Sequence, residues 1–153
     1  MEPRLDYFPF AQPALKAQMS IEGYLKQSSL GHKLLELVKL RVSQINGCAF
    51  CVNMHINLLR EAGVPTEKID LLVVWRESPV YTARERAAFE WAESVTLLAD
   101  TGVPDATYEE VAEHFDDAEL VDLTWNIASI NSWNRLSVSF RKLPEIKQAA
   151  VRA

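Results

Sequence analysis

Two cysteines and a histidine stand within one stretch, Cys48-Ala49-Phe50-Cys51-Val52-Asn53-Met54-His55. These are the only 2 cysteines of the 153-residue chain, and His55 is one of its 3 histidines. On a helix, residues three and four apart share a face, so Cys48, Cys51 and His55 would stack along one side. Thiols at that spacing form a reversible disulfide where the first turn of a helix brings the sulfurs together, and an imidazole one turn on can take a thiol proton. A helix start also favours thiolate, because its unpaired N–H groups and its dipole stabilise negative charge. Burial in apolar surroundings works against this. A partner one turn away outweighs partial burial, so at least one thiol is expected to be acidic.

Glu36 is the less obvious member of the group. On one continuous helix it would lie about 18 Å along the axis from Cys48, too far to matter. Asn46-Gly47 is a stop signal, however, since both residue types accept the left-handed conformation that ends helices. With the chain reversed there, Glu36 lies about 15 Å and His55 about 10 Å from the turn. Across an antiparallel pair Glu36 then faces His55 better than either cysteine, directly or through a water. The order Glu36, His55, cysteine is that of a relay in which a carboxylate orients the ring and stabilises the imidazolium. Spacing alone leaves a plainer alternative, a surface ion pair of Glu36 with Lys33 or Lys39. It also leaves two inert buried thiols, or a zinc site in which Glu36 completes Cys48, Cys51 and His55. His32 and His114 show no ligand spacing and read as solvent-facing or capping groups.

The elements that must position these residues read as helices. Cys48 to Ala62 is periodic, with Cys48, Cys51, Val52, His55, Leu58, Leu59 and Ala62 on one face, and Gly63 and Pro65 close it. The preceding helix, from Leu30 or His32 to Ile45, is apolar nearly all round and is expected to be deeply packed. Around this pair the pattern predicts a helix over 14–27, weakened by Gly23, and a short one over 67–75 capped by Thr66. Capping boxes at Thr82/Glu85, Thr107/Glu110 and Asp116/Glu119 open helices to about Ala99, Phe115 and Arg141. A fraying tail helix is expected from Glu145. No alternating β pattern, hairpin dipeptide or internal repeat is visible, so the C-x-x-C is not in a thioredoxin-like βαβ setting. The expectation is an all-α fold and a single domain over 1–153, with an extended Pro-rich arm over 1–13. In the last helix, Trp125, Asn126, Asn131, Trp133, Asn134 and Arg135 crowd aromatic and amide groups. Asn is a poor mid-helix residue, so hydrogen bonds with a purpose are expected there, at a subunit interface or on the wall of the active-site pocket. Tyr81, near Trp75, is a second candidate for that wall, with simple core packing as the plainer alternative.

Composition bounds the function. The chain is 48% hydrophobic and 24% charged with net charge −5, ordinary for a soluble globule. It has no Lys/Arg run, so no nucleic-acid footprint. It has no stretch of 18 uncharged apolar residues, and Met1 to Phe10 carries no secretory signal. Two close cysteines suit redox or metal chemistry in a reducing compartment, the cytoplasm.

Glu36, eleven residues, then C-x-x-C-x-x-x-H resembles the carboxymuconolactone decarboxylase superfamily, in its AhpD-like alkylhydroperoxidase branch. So do the run Leu37 to Cys48, Tyr81-Thr82-Ala83-Arg84-Glu85-Arg86, and Asn131-Ser132-Trp133-Asn134-Arg135. The resemblance extends from about Leu5 to Arg141. It implies an all-α fold, homo-oligomers such as trimers or hexamers, and thiol-based reduction of hydroperoxides; no cofactor or bound metal is expected. It implies that Cys51 attacks the peroxide, that Cys48 resolves it, and that Glu36 and His55 form the proton relay. It implies an external dithiol reductant, of lipoyl-adaptor type. The branch carries a further histidine just before the second cysteine, where this chain has Phe50. Two other functions are carried alongside. One is a redox sensor or oligomeric scaffold whose disulfide changes assembly. The other is a lactone decarboxylase, whose chemistry does not call for a C-x-x-C pair.

Overall fold

A computed structural model describes residues 1–146, and every element in them is helical. In chain order these are α1 (Gln12–Leu25), α2 (His32–Ile45), α3 (Ala49–Glu61), α4 (Thr66–Asp70), a 3-10 turn (Leu72–Val74), α5 (Ala83–Thr96), α6 (Leu98–Thr101), α7 (Asp105–Ala112) and α8 (Asp117–Ser139). The all-α expectation holds among these residues. No helix among them is long and apolar enough to cross a membrane.

The central element is α2, packed against α3, α5 and α8. Leu34, Leu35, Leu37, Val38, Leu40 and Val42 are buried, on more than one side of the helix. Around them lie Phe89 of α5, Leu59 of α3, and Leu123, Ile127 and Ile130 of α8, all fully buried. Burying each such side chain contributes roughly 1.5–3 kcal/mol, so α2 is fixed from three directions and can hold polar groups in place.

The reversal between α2 and α3 is where Asn46-Gly47 predicts it. Gly47 has φ 65°, the left-handed conformation that costs glycine nothing. Its N–H donates to the Gln44 carbonyl at 3.2 Å, and the Cys48 N–H donates to the Ser43 carbonyl at 3.0 Å. This pair of bonds is the Schellman closure of α2. Cys48 is then at once the exit residue of one helix and the N-cap of the next.

The capping boxes at Thr82/Glu85 and Asp116/Glu119 are formed as expected, and they start α5 and α8. The one at Thr107 is not. Gly102 and Pro104 turn the chain early, α7 begins at Asp105, and the Thr107 N–H already donates to the Pro104 carbonyl within its first turn. The segment expected as one helix over 67–75 is split into α4 and a 3-10 turn, and α5 stops at Thr96 with α6 as a separate turn. The first helix starts at Gln12 rather than Ala14, because Pro13 fits the first turn, where no N–H is required. Glu145 and Ile146 are not helical, and the rest of the expected tail helix lies outside the described residues.

Candidate active site

Cys48 and Cys51 are joined as a disulfide, with Cα atoms 5.3 Å apart. The bond closes within the first turn of α3, where the Cys51 N–H also donates to Cys48 Sγ at 3.2 Å. Both residues are only 1% exposed. They differ in what they face. Cys51 lines a cavity of about 360 Å³, together with His55 and Glu36, and Cys48 is not part of its wall.

His55 is one turn beyond Cys51 and 2% exposed. Its Nδ1 lies 2.6 Å from Glu36 Oε2, a direct contact across the α2–α3 hairpin. An ionised carboxylate only accepts, so Nδ1 carries the hydrogen and Nε2 is left for other chemistry. Nε2 is buried and has no hydrogen-bond partner among the described residues. A buried polar atom without a partner is costly, and one on the wall of a cavity beside a cysteine is placed for a ligand or a proton. The Glu36–His55 pairing predicted from the helix arithmetic is therefore observed. The surface ion pair is replaced by a buried one: Glu36 is 5% exposed, with Lys39 Nζ 3.5 Å from its Oε1. Burial pushes the Glu36 carboxyl upward, but the His55 hydrogen bond and charge, with Lys39 and His32, more than offset this and hold it below its ordinary value.

The walls of the cavity are largely apolar. Met54 and Leu58 come from α3, Ile130 and Trp133 from α8, Met19 from α1, and Tyr7 and Phe8 from the N-terminal arm. Phe50 is also on the wall, where it meets a cation: Lys142 Nζ lies 4.5 Å from its ring centre and 3.9 Å from that of Phe8.

The model of the carboxymuconolactone decarboxylase family matches residues 12–94, which contain Glu36, Cys48, Cys51 and His55. The uncharacterised protein YdfG of Bacillus subtilis is 43% identical over 139 residues, 91% of this chain and 95% of its own length. The chain belongs to the carboxymuconolactone decarboxylase family. Within that family its likeness is to the AhpD-like branch. A crystal structure from Agrobacterium tumefaciens, of a protein of unknown function suggested to be the antioxidant-defence protein AhpD, superposes with TM-score 0.92 at 45% identity, covering 95% of this chain and 100% of that one. An alkyl hydroperoxide reductase AhpD from a Methylobacterium species is 44% identical over 54 residues, 32% of this chain and 31% of its own.

The family match ends at residue 94, yet α8 completes the site in this member of the family. Trp133 stands on the cavity wall, as one of the two expectations for the late aromatic and amide cluster had it. The asparagines brace the turn that carries the thiols. Asn46 Nδ2 donates to Asn131 Oδ1 and to Asn134 Oδ1, each at 2.9 Å, and Asn134 Nδ2 donates to Ser43 Oγ at 3.1 Å. Asn126, fully buried, donates to the Leu35 carbonyl at 3.1 Å. Trp125 is exposed, and Arg135 bonds back to Asn131 of its own helix.

Tyr81 is not on the wall. It packs edge-on against Phe89 and donates to the Lys68 carbonyl at 2.8 Å, and burial pushes its phenol up to about 12. His114 gives only its carbonyl, to Arg84. His32, read as solvent-facing, is exposed but reaches the rim of the cavity and adds to the field at Glu36. Two further groups, which the sequence does not mark as part of the site, stand on the same wall, Glu22 and Lys39. In the sequence Lys39 reads only as a surface partner of Glu36. Glu22 carried no signal, because its place depends on how α1 docks.

Proposed function

We propose that this protein is a thiol peroxidase that reduces organic hydroperoxides or hydrogen peroxide through a Cys48–Cys51 dithiol/disulfide cycle. The observation that carries the reading is the shared cavity: a redox-capable cysteine and the free Nε2 side of a carboxylate-held histidine line one largely apolar space. In the reduced protein, His55 takes the Cys51 proton. The thiolate attacks the distal peroxide oxygen, the O–O bond breaks, and the alkoxide leaves with the proton returned by His55. Cys51 is then a sulfenic acid; the Cys48 thiol attacks its sulfur, the S–O bond breaks and the hydroxyl leaves as water, giving the disulfide. An external dithiol, of lipoyl-adaptor type, restores both thiols by exchange. The apolar wall suits the organic part of a hydroperoxide. Phe50 gives no second imidazole, so His55 alone serves as base. The reading places the protein in the cytoplasm and in a homo-oligomer, a trimer or hexamer.

The test is to mix reduced protein with one equivalent of cumene hydroperoxide and follow free thiols and intact mass. Fast loss of two thiols with a two-dalton drop is the expected result. Thiols that persist for hours would sink the reading and leave metal binding or a structural role.

A further inference from the structure

Behind the Glu36–His55 pair the charges continue. Lys39, one turn after Glu36 on α2 and 8% exposed, has its Nζ 3.5 Å from Glu36 Oε1 and 2.6 Å from Glu22 Oε2. Glu22 in turn is held by two further donors, both on α8: the Trp133 Nε1–H donates to its Oε1 at 3.1 Å and Ser129 Oγ donates to the same oxygen, while Gln18 of α1 donates to Ser129 Oγ at 2.7 Å. The row Glu22, Lys39, Glu36, His55 thus crosses α1, α2 and α3, with α8 fastening its far end. A buried ammonium is expensive unless paired, and an ordinary ion pair of Lys39 with Glu22 would satisfy it without Glu36. This one is instead set between two carboxylates, one of which holds the histidine beside Cys51.

We propose that Glu22 and Lys39 are positioning residues of the thiol site: Glu22 anchors the Lys39 ammonium, and Lys39 keeps the Glu36 carboxylate ionised and turned to His55. The inference deepens the peroxidase reading and rests on its assignment of Glu36 and His55. The groups that face Glu36 are His32 and Lys39 on α2, Cys51 and His55 on α3, and Glu22 on α1 through Lys39, with Lys26 further along the same cavity. The α8 groups at this wall, Ile130, Trp133 and Ser137, are uncharged. Without the ammonium, Glu36 would take up a proton at higher pH, and His55 would lose its carboxylate there.

The experiment uses alkylation by iodoacetamide rather than peroxide, so its outcome does not depend on whether the protein is a peroxidase. In a Cys48→Ser background Cys51 is the single thiol, and its alkylation rate is followed against pH. Lys39→Met should move the acid limb of that profile upward by about one pH unit, the usual size of losing one close charge. Lys39→Arg should restore it. In a Glu36→Gln background Lys39→Met should have no further effect. Glu22→Gln/Lys39→Met removes both charges of the pair, so it gives the same test without a stranded carboxylate should the single variant fail to fold. Glu22→Gln alone keeps the ammonium but removes its anchor: an upward shift would report loss of the Lys39 placement, whereas a downward shift would report only the lost Glu22 charge and overturn the anchoring role. Folded variants with an unmoved profile would make the pair merely structural and overturn the proposal. A shift that persists with Glu36→Gln would also overturn it, because Lys39 would then act on Cys51 directly.

Discussion

At the residue scale, the two sulfurs differ in what they face, and the proposed roles follow that difference. Cys51 faces the cavity and Cys48 caps the helix behind it. Cys51→Ser should abolish both peroxide turnover and sulfenic-acid trapping by dimedone. Cys48→Ser should leave a trappable sulfenic acid but stop cycling, since serine can cap the helix but cannot close the disulfide. The opposite pattern would exchange the two roles. His55→Gln, or Glu36→Gln, should slow thiol oxidation near neutral pH by about a hundredfold, the low end of general-base effects, and a high-pH assay should recover most of it. These residues were legible because their spacing along two helices fixes their meeting point: one turn signal and the helical rise bring Glu36 to His55. Glu22 was not legible, since nothing in a local pattern says which face of α1 meets α8. The family resemblance added the assignment of attacking and resolving sulfur, which the spacing of Cys48 and Cys51 does not contain.

At the scale of elements, the hairpin of α2 and α3 depends on a third helix. The Asn46 side chain is clamped by Asn131 and Asn134, and Asn134 is 1% exposed. Asn134→Ala would leave Asn46 and the buried Ser43 hydroxyl short of partners, at a cost of about 1–3 kcal/mol for an unsatisfied buried group. A urea unfolding curve should show a lower midpoint with an unchanged slope. Here the sequence could be read in kind but not in detail: mid-helix asparagines announced hydrogen bonds, and only the packing of α8 across α2 revealed their partners. The same limit explains the missed start of α7. Thr107/Glu110 satisfies the capping pattern, but Gly102 and Pro104 had already turned the chain, and the earlier start won.

At the scale of the whole molecule, buried and half-buried carboxylates tie helices together. Glu93 of α5 accepts from Arg41 of α2 at 2.8 Å and from Trp75 Nε1 at 2.7 Å, Glu22 joins α1 to α2 and α8, and Glu36 joins α2 to α3. Burial pushes each of the three upward, but their partners more than offset it and hold each below its ordinary value. The folded values lie below the unfolded ones, so the stability they lend is complete above the ordinary carboxylate range. It is lost as pH falls through the lower folded values. Thermal melts should therefore hold steady on mild acidification and fall once the pH drops below about 4. Glu36→Gln and Glu22→Gln should each flatten that fall.

The Cys48–Cys51 bond closes a ring inside one turn of one helix, so it staples no two elements together. A cross-link over so short a loop restrains the unfolded chain by only about 2 kcal/mol in the loop-entropy account, while the Schellman turn, the asparagine clamp and the carboxylate pairs, none of which uses a sulfur, hold the helices in register. Architecture and electron storage are thereby uncoupled. In the proposed cycle the disulfide would be spent and remade while the frame that aims it stays put.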